Sequence, residues 1–358
     1  MQGAGAFQQR SAAMLALAAA ALFGASTPFA KLLLAESVDP VLLAGLLYLG
    51  SGVGLALVHG ARRVCGTSRT EAPLRRHDIP WLVLVVAAGG IIGPVLLMVG
   101  LARTEASAAA LLLNLEGLAT MAIAWIAFRE YVDRRLLVGA FAILAGAVLL
   151  SWQGGYANVG WGAAMIAGAC IAWGIDNNLT RKLSGADPVQ IVMIKGLAAG
   201  AANCALALAH GAALPAVDTL AGAGALGFLG YGASLALFVL ALRHLGTART
   251  GAYFSTAPFI GAALAVAMFG EPVTGWLVAA AALMGIGVYL HLTERHEHEH
   301  PHADMTHEHR HVHDEHHRHA HAPTDRPDEP HTHRHRHVSL RHRHPHYPDL
   351  HHRHDHAG

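Results

Sequence analysis

The chain has 358 residues, 53% of them hydrophobic and 14% charged, with 25 Lys+Arg against 24 Asp+Glu. Soluble domains carry about 25% charged residues, so this composition excludes an ordinary globular enzyme and a basic nucleic-acid-binding module, and points to a bilayer protein. The average hides a division: residues 1–290 hold 16 Lys+Arg and 12 Asp+Glu, while residues 291–358 hold 9 Arg, 12 acids and 24 of the 28 histidines.

From the N-terminus, Arg10 precedes an apolar run that ends near Leu34. Such a run is too long for a signal-peptide core and reads as a retained membrane helix. A helix rises 1.5 Å per residue, so about 20 apolar residues cross a 30 Å hydrocarbon core. Ten runs meet that length, near 12–34, 40–59, 80–101, 105–128, 135–152, 159–180, 188–210, 220–242, 248–269 and 273–292. The predicted fold is an all-α integral membrane protein of ten transmembrane helices. Basic residues gather in alternate loops: Arg62, Arg63, Arg69, Arg75 and Arg76, then Arg129, Arg134 and Arg135, then Arg181 and Lys182, then Arg243 and Arg249. By the positive-inside rule these loops, both termini and the tail face the cytoplasm, and the protein is expected in the cytoplasmic (inner) membrane. Cys65, Cys170 and Cys204 are scattered and form no disulfide framework.

The two halves resemble each other. "ALFGASTPFAKLL" (21–33) lies opposite "IAWGIDNNLTRKL" (171–183), each followed by "DPV", and "AIAWIAFRE" (122–130) lies opposite "GAALAVAMFGE" (261–271). Five spans per half is an odd number, so the second half must enter the membrane from the other side. Inverted repeats of this kind place a substrate site near the midplane between the halves.

These residues resemble the drug/metabolite transporter permeases of the EamA type. The resemblance rests on Phe23-Gly24 with Lys31, on Trp173-Gly174 with Arg181 and Lys182, and on "STAPFIGAALAVAMFGEPVTGW" (255–276) with Pro258 and Gly270-Glu271. It implies ten helices in two inverted five-helix repeats, here 12–152 and 159–292, and transport of a small solute without enzymatic chemistry. The first half departs from the pattern: Gly117 stands where the second half has Pro258, and Glu116 precedes it.

The candidate transport pathway consists of polar side chains inside spans. Glu116 sits mid-span, where an ionisable group costs at least about 2.5–3.5 kcal/mol on insertion scales and commonly marks an ion or proton route. Asn114 is two residues away and points to another face. Asp176, Asn177 and Asn178 cluster one turn from a span end. Lys195 either snorkels out or pairs with Asp176 or Glu116, and Asn203 follows on nearly the same face. Glu130 and Glu271 end their spans at opposite surfaces and read as family structural markers as much as ligands. No Walker motif or catalytic triad pattern is present, so ATP coupling within this chain is not expected.

Residues 293–358 read as a disordered, metal-binding tail. Its candidate ligands are His296, His298, His300, His302, His307, His309, His311, His313, His316, His317, His319 and His321. H-x-H pairs mixed with acids suit several exchangeable sites for nickel, cobalt or zinc, and no prosthetic cofactor is expected. The leading expectation is efflux of a divalent metal, proton-coupled through Glu116. The alternatives are export of an amino acid or other small metabolite with an incidental tail, or a membrane metal sensor or buffer. The expected partners are the lipid bilayer and the solute, not nucleic acid, with a homodimer left open.

Overall fold

A computed structural model describes residues 2–65, 74–128, 134–151, 160–183, 187–245, 247–293, 297–301, 305–311, 331–337 and 341–345. The first half contains α1 (Gln2–Ala35), α2 (Pro40–Val64), a third span made of α3 (Ile79–Val85) and α4 (Gly93–Leu101), a fourth made of α5 (Ala106–Leu112) and α6 (Leu115–Phe128), and α7 (Arg134–Ser151). The second half repeats this order: α8 (Trp161–Thr180), α9 (Pro188–Ala209), α10 (Val217–Gly227) with α11 (Ser234–Leu245), α12 (Thr247–Phe254) with α13 (Ala257–Phe269), and α14 (Gly275–Leu292). Among the described residues, nine helices are long and apolar enough to cross a membrane. The tenth span is α8, whose 20 residues suffice in length while its last turns carry Asp176, Asn177 and Asn178.

The halves are related by inversion, and the packing shows it. α1 of the first half packs on α11 and α13 of the second, and its counterpart α8 packs on α4 and α6. α2 lies along α9, and α7 along α14, each across the pseudo-two-fold axis. Glycine permits these approaches. A Cβ on Gly24 would meet the Ala257 carbonyl, and one on Gly287 would meet the Gly139 carbonyl. Membrane helices gain their association from such backbone proximity and dispersion, because lipid supplies little hydrophobic drive.

Two spans in each half are irregular, at matching positions. The third spans pass through a π-helical turn, at Val86–Ile92 and at Phe228–Ala233. The fourth spans, read from sequence as single runs, are each two helices. In the first half the chain tightens at Leu113 and Asn114, where the Asn114 amide donates to the Leu111 carbonyl at 2.8 Å. In the second half the Ser255 and Thr256 hydroxyls donate to the Ala252 and Tyr253 carbonyls, and Pro258 lies in the first turn of α13. Local side-chain bonds to carbonyls interrupt the helical ladder, and proline is tolerated at a helix start.

Within the tail the described residues are four short extended segments, which pair as β1 (Glu297–Pro301) with β4 (Arg341–Pro345) and β2 (Met305–His311) with β3 (His331–His337), both antiparallel. Alternation of His with another residue is a period-two pattern, and period two is that of a strand. His296, His302, His313, His316, His317, His319, His321 and Glu130 lie outside the described residues.

Candidate solute-binding site

A cavity of about 380 Å³ lies where α1, α2, α6, α8, α9, α11 and α12 converge. Glu116 enters from the first turn of α6, just past the break in the fourth span. The Asn177 amide donates to Glu116 Oε1 at 3.0 Å and to Thr120 Oγ1 at 3.1 Å. The Thr120 hydroxyl in turn donates to the Glu116 carbonyl at 2.9 Å. Glu116 is thus held from α8, through Oε1, by a neutral donor.

One turn along the same wall, the Lys195 ammonium of α9 bonds the Asp176 carboxylate of α8. The Thr180 hydroxyl donates to the other Asp176 oxygen at 3.1 Å. Of the sequence alternatives for Lys195, pairing with Asp176 is the one found. Gly89 makes room for this carboxylate, since a Cβ there would collide with it.

The rest of the wall is aromatic: Phe23, Tyr48, Trp173, Tyr231, Phe238 and Phe254. Phe23 meets Tyr231 edge-on and also stacks near Phe254, with centroids 5.9 and 5.4 Å apart. Tyr48 and Trp173 have a second task. The π-helical turn leaves the Gly89 carbonyl without its regular partner, and it accepts from the Tyr48 hydroxyl at 2.7 Å and from Trp173 Nε1 at 3.0 Å. The neighbouring Gly90 carbonyl accepts from the Asn203 amide at 3.2 Å.

Of the seven pathway candidates, Glu116, Asp176, Asn177 and Lys195 line the cavity. Asn114, Asn178 and Asn203 do not: they are buried and bond backbone carbonyls of irregular or neighbouring helices. Sequence reasoning missed the aromatic wall. Its available signal was Tyr48 and Tyr231, whose hydroxyls are unusual inside apolar runs, and the Phe23-Gly24 and Trp173-Gly174 pairs at the repeat starts.

The lining residues fall between mid-height and the membrane face from which α1 starts and the tail departs. The described residues contain no group of three or more His, Cys, Asp and Glu side chains able to hold a metal ion. The cavity wall combines these aromatic rings with the Glu116 carboxylate and the Lys195–Asp176 pair.

The sequence profile of the EamA-like transporter family matches residues 10–152 and 160–293. An uncharacterized transporter of Methanothermobacter thermautotrophicus is 27% identical over 284 residues, covering 75% of this chain and 82% of that protein. A solved structure described only as the crystal structure of a protein aligns with a TM-score of 0.57 at 20% identity, over 78% of this chain and 95% of its own. That likeness concerns the fold alone.

Proposed function

The chain belongs to the EamA-like transporter family, a multi-pass membrane family of small-solute permeases, and from that premise we propose that it carries a small organic solute through the 380 Å³ cavity by alternating access. The observation that carries this reading is the cavity wall: six aromatic residues, one carboxylate held by a neutral amide, and one internal ion pair. Ligand sites of about 300–1,000 Å³ take molecules of metabolite size. An amino acid or comparable amine-bearing metabolite fits the wall, with its ammonium at Glu116 and its side chain among the rings, where cation–π attraction adds to the carboxylate's. A bare metal ion fits less well. The wall offers no imidazole or thiolate, and Asp176 is already engaged by Lys195.

In the proposed cycle Glu116 exchanges its solute for a proton, which couples export to the proton gradient. Lys195 and Asp176 neutralise each other and leave Glu116 as the exchangeable charge. The basic loops support a cytoplasmic membrane location with both termini inside, so that the cavity described here opens to the cytoplasm.

A second reading concerns the tail and rests on its strand register. His307, His309 and His311 lie opposite His335, His333 and His331, and His298 and His300 lie opposite His344 and His342. Facing positions in an antiparallel pair are about 4.5–5.5 Å apart, and histidine is a ligand type suited to nickel, cobalt and zinc. On this reading the tail gathers metal at the cytoplasmic mouth, whether as regulation or as cargo supply.

The cargo is tested by solute-dependent thermal stabilisation of the purified protein against amino acids, simple amines, carboxylates and Ni²⁺, Co²⁺ and Zn²⁺. A ligand at a hundred times its Kd stabilises by about 2.7 kcal/mol. Stabilisation by an amine-bearing solute, abolished by Glu116→Gln, supports the reading. Stabilisation by metals alone, in protein lacking residues 296–358, overturns it.

A further inference from the structure

The face opposite the cavity mouth is closed by a compact set of charged contacts that the cavity does not use. The Lys31 ammonium, near the end of α1, donates to the Leu101 carbonyl at 2.6 Å and to the Thr104 carbonyl at 2.9 Å. Glu271 lies just past α13. Its two oxygens accept from the Ala106 amide at 2.7 Å and the Ser107 amide at 2.9 Å. The two residues therefore hold the same turn from both sides: Lys31 satisfies carbonyls where α4 ends, and Glu271 satisfies amides where α5 begins.

Ordinary helix caps come from the adjoining chain. Here the neighbouring residue Glu105 makes no side-chain cap on α5, and the capping carboxylate comes from the other half of the molecule. Gly270 makes this possible. It closes α13 with φ 61°, a left-handed conformation natural to glycine, and so turns Glu271 back toward the membrane. Beside the contacts, the Ser107 hydroxyl is fully buried with no hydrogen-bond partner among the described residues.

The inverted repeat supplies the comparison. On this face α5 packs along α13. The counterpart of that pair on the cavity face is α12 with α6, and among the described residues they make no comparable contact. The molecule is therefore closed on one face and parted on the other, as one state of an alternating pair. Opening the closed face requires the α4–α5 turn to leave α1 and α13, and with it the breaking of all four hydrogen bonds.

We infer that Lys31 and Glu271 are positioning residues of the transport cycle, a two-part latch that holds the face opposite the cavity mouth shut and sets how often it opens. The inference rests on the alternating-access reading above. Neither residue touches the cavity. The latch acts through the turn between α4 and α5.

The test uses a Ser26→Cys reporter in protein whose Cys65, Cys170 and Cys204 are replaced by Ser. Ser26 is 1% exposed and lies on α1 between Phe23 of the cavity wall and Lys31. Membrane-impermeant maleimide is applied to the closed face of sealed vesicles. Lys31→Met and Glu271→Gln should each raise the labelling rate at least fivefold, and Lys31→Arg should restore most of the protection. Unchanged labelling in folded Lys31→Met and Glu271→Gln would overturn the latch and reduce both residues to helix caps. A second arm leaves both residues in place and cross-links Glu105→Cys to Pro272→Cys, two exposed positions flanking the latch. Cross-linking should stop solute exchange, and reductant should restore it. Exchange that continues in fully cross-linked protein would overturn the latch. Raised labelling in a protein that exchanges no solute would leave the latch standing and remove the transport reading.

Discussion

Replacing Lys195 with Met strands the Asp176 carboxylate, whose side chain is 6% exposed, without its counter-charge. Removing one partner of a buried ion pair costs about 3–5 kcal/mol, because the remaining charge stays desolvated. Lys195 itself keeps 16% exposure toward the cavity, so the lower end applies, about 3 kcal/mol. The Thr180 hydroxyl bond to Asp176, at 3.1 Å, is worth too little to offset that loss. At about 1.4 kcal/mol per decade the folding equilibrium falls by about two decades. The double variant Lys195→Met/Asp176→Asn removes both charges and should recover most of the loss. The assay is thermal unfolding of the detergent-purified proteins side by side. The expected order places wild type and double variant together, well above Lys195→Met. If Lys195→Met unfolds with wild type, or the double variant unfolds as early as the single, the ion pair is not what ties α8 to α9 at the cavity.

Tyr48→Phe and Trp173→Phe each leave the Gly89 carbonyl one donor and should be mild singly, whereas the double variant strands a buried carbonyl and should lose about 1–3 kcal/mol more than the singles sum to, read by the same unfolding assay. Gly24→Ala drives a Cβ into the Ala257 carbonyl and should sharply lower membrane abundance, whereas Gly60→Ala meets nothing within 4 Å and should leave abundance unchanged, both read by quantitative blotting. Metal binding by the tail needs neutral imidazole, the form that prevails above a pKa of about 6.5. Binding should therefore be present above that pH and fade below it, as titration of full-length and tail-deleted protein with Ni²⁺ would record.

The ten spans were legible because length and hydropathy alone decide whether a helix crosses a bilayer, and the inversion was legible because an odd span count forces it. The irregularities were not. Val86–Ile92 is as apolar as its neighbours and differs in where its carbonyls find donors, while Asn114 stood out as polar but its amide turns to the Leu111 carbonyl at the break. Lys195 was visible as a charge in a span, but its choice of Asp176 over Glu116 depends on how α8 and α9 are turned against each other. The aromatic wall was hidden for a related reason. Phe238 and Phe254 look the same in sequence whether they face lipid or a cavity, and only the convergence of several helices makes them neighbours, with centroids 4.8 Å apart. The same holds for Lys31 and Glu271: both stood out as markers, but their partners lie 70 to 165 residues away along the chain.

Counterflow in proteoliposomes tests the central claim most directly. Vesicles loaded with an unlabelled amine-bearing solute that stabilises the protein are diluted into a trace of the same solute in radiolabelled form. Wild-type protein should accumulate label transiently against its gradient, and Glu116→Gln should lower the initial rate at least tenfold, a barrier change of about 1.4 kcal/mol, at equal protein content. Equal exchange by wild type and Glu116→Gln would contradict the account, as would no exchange by wild type of any solute that binds.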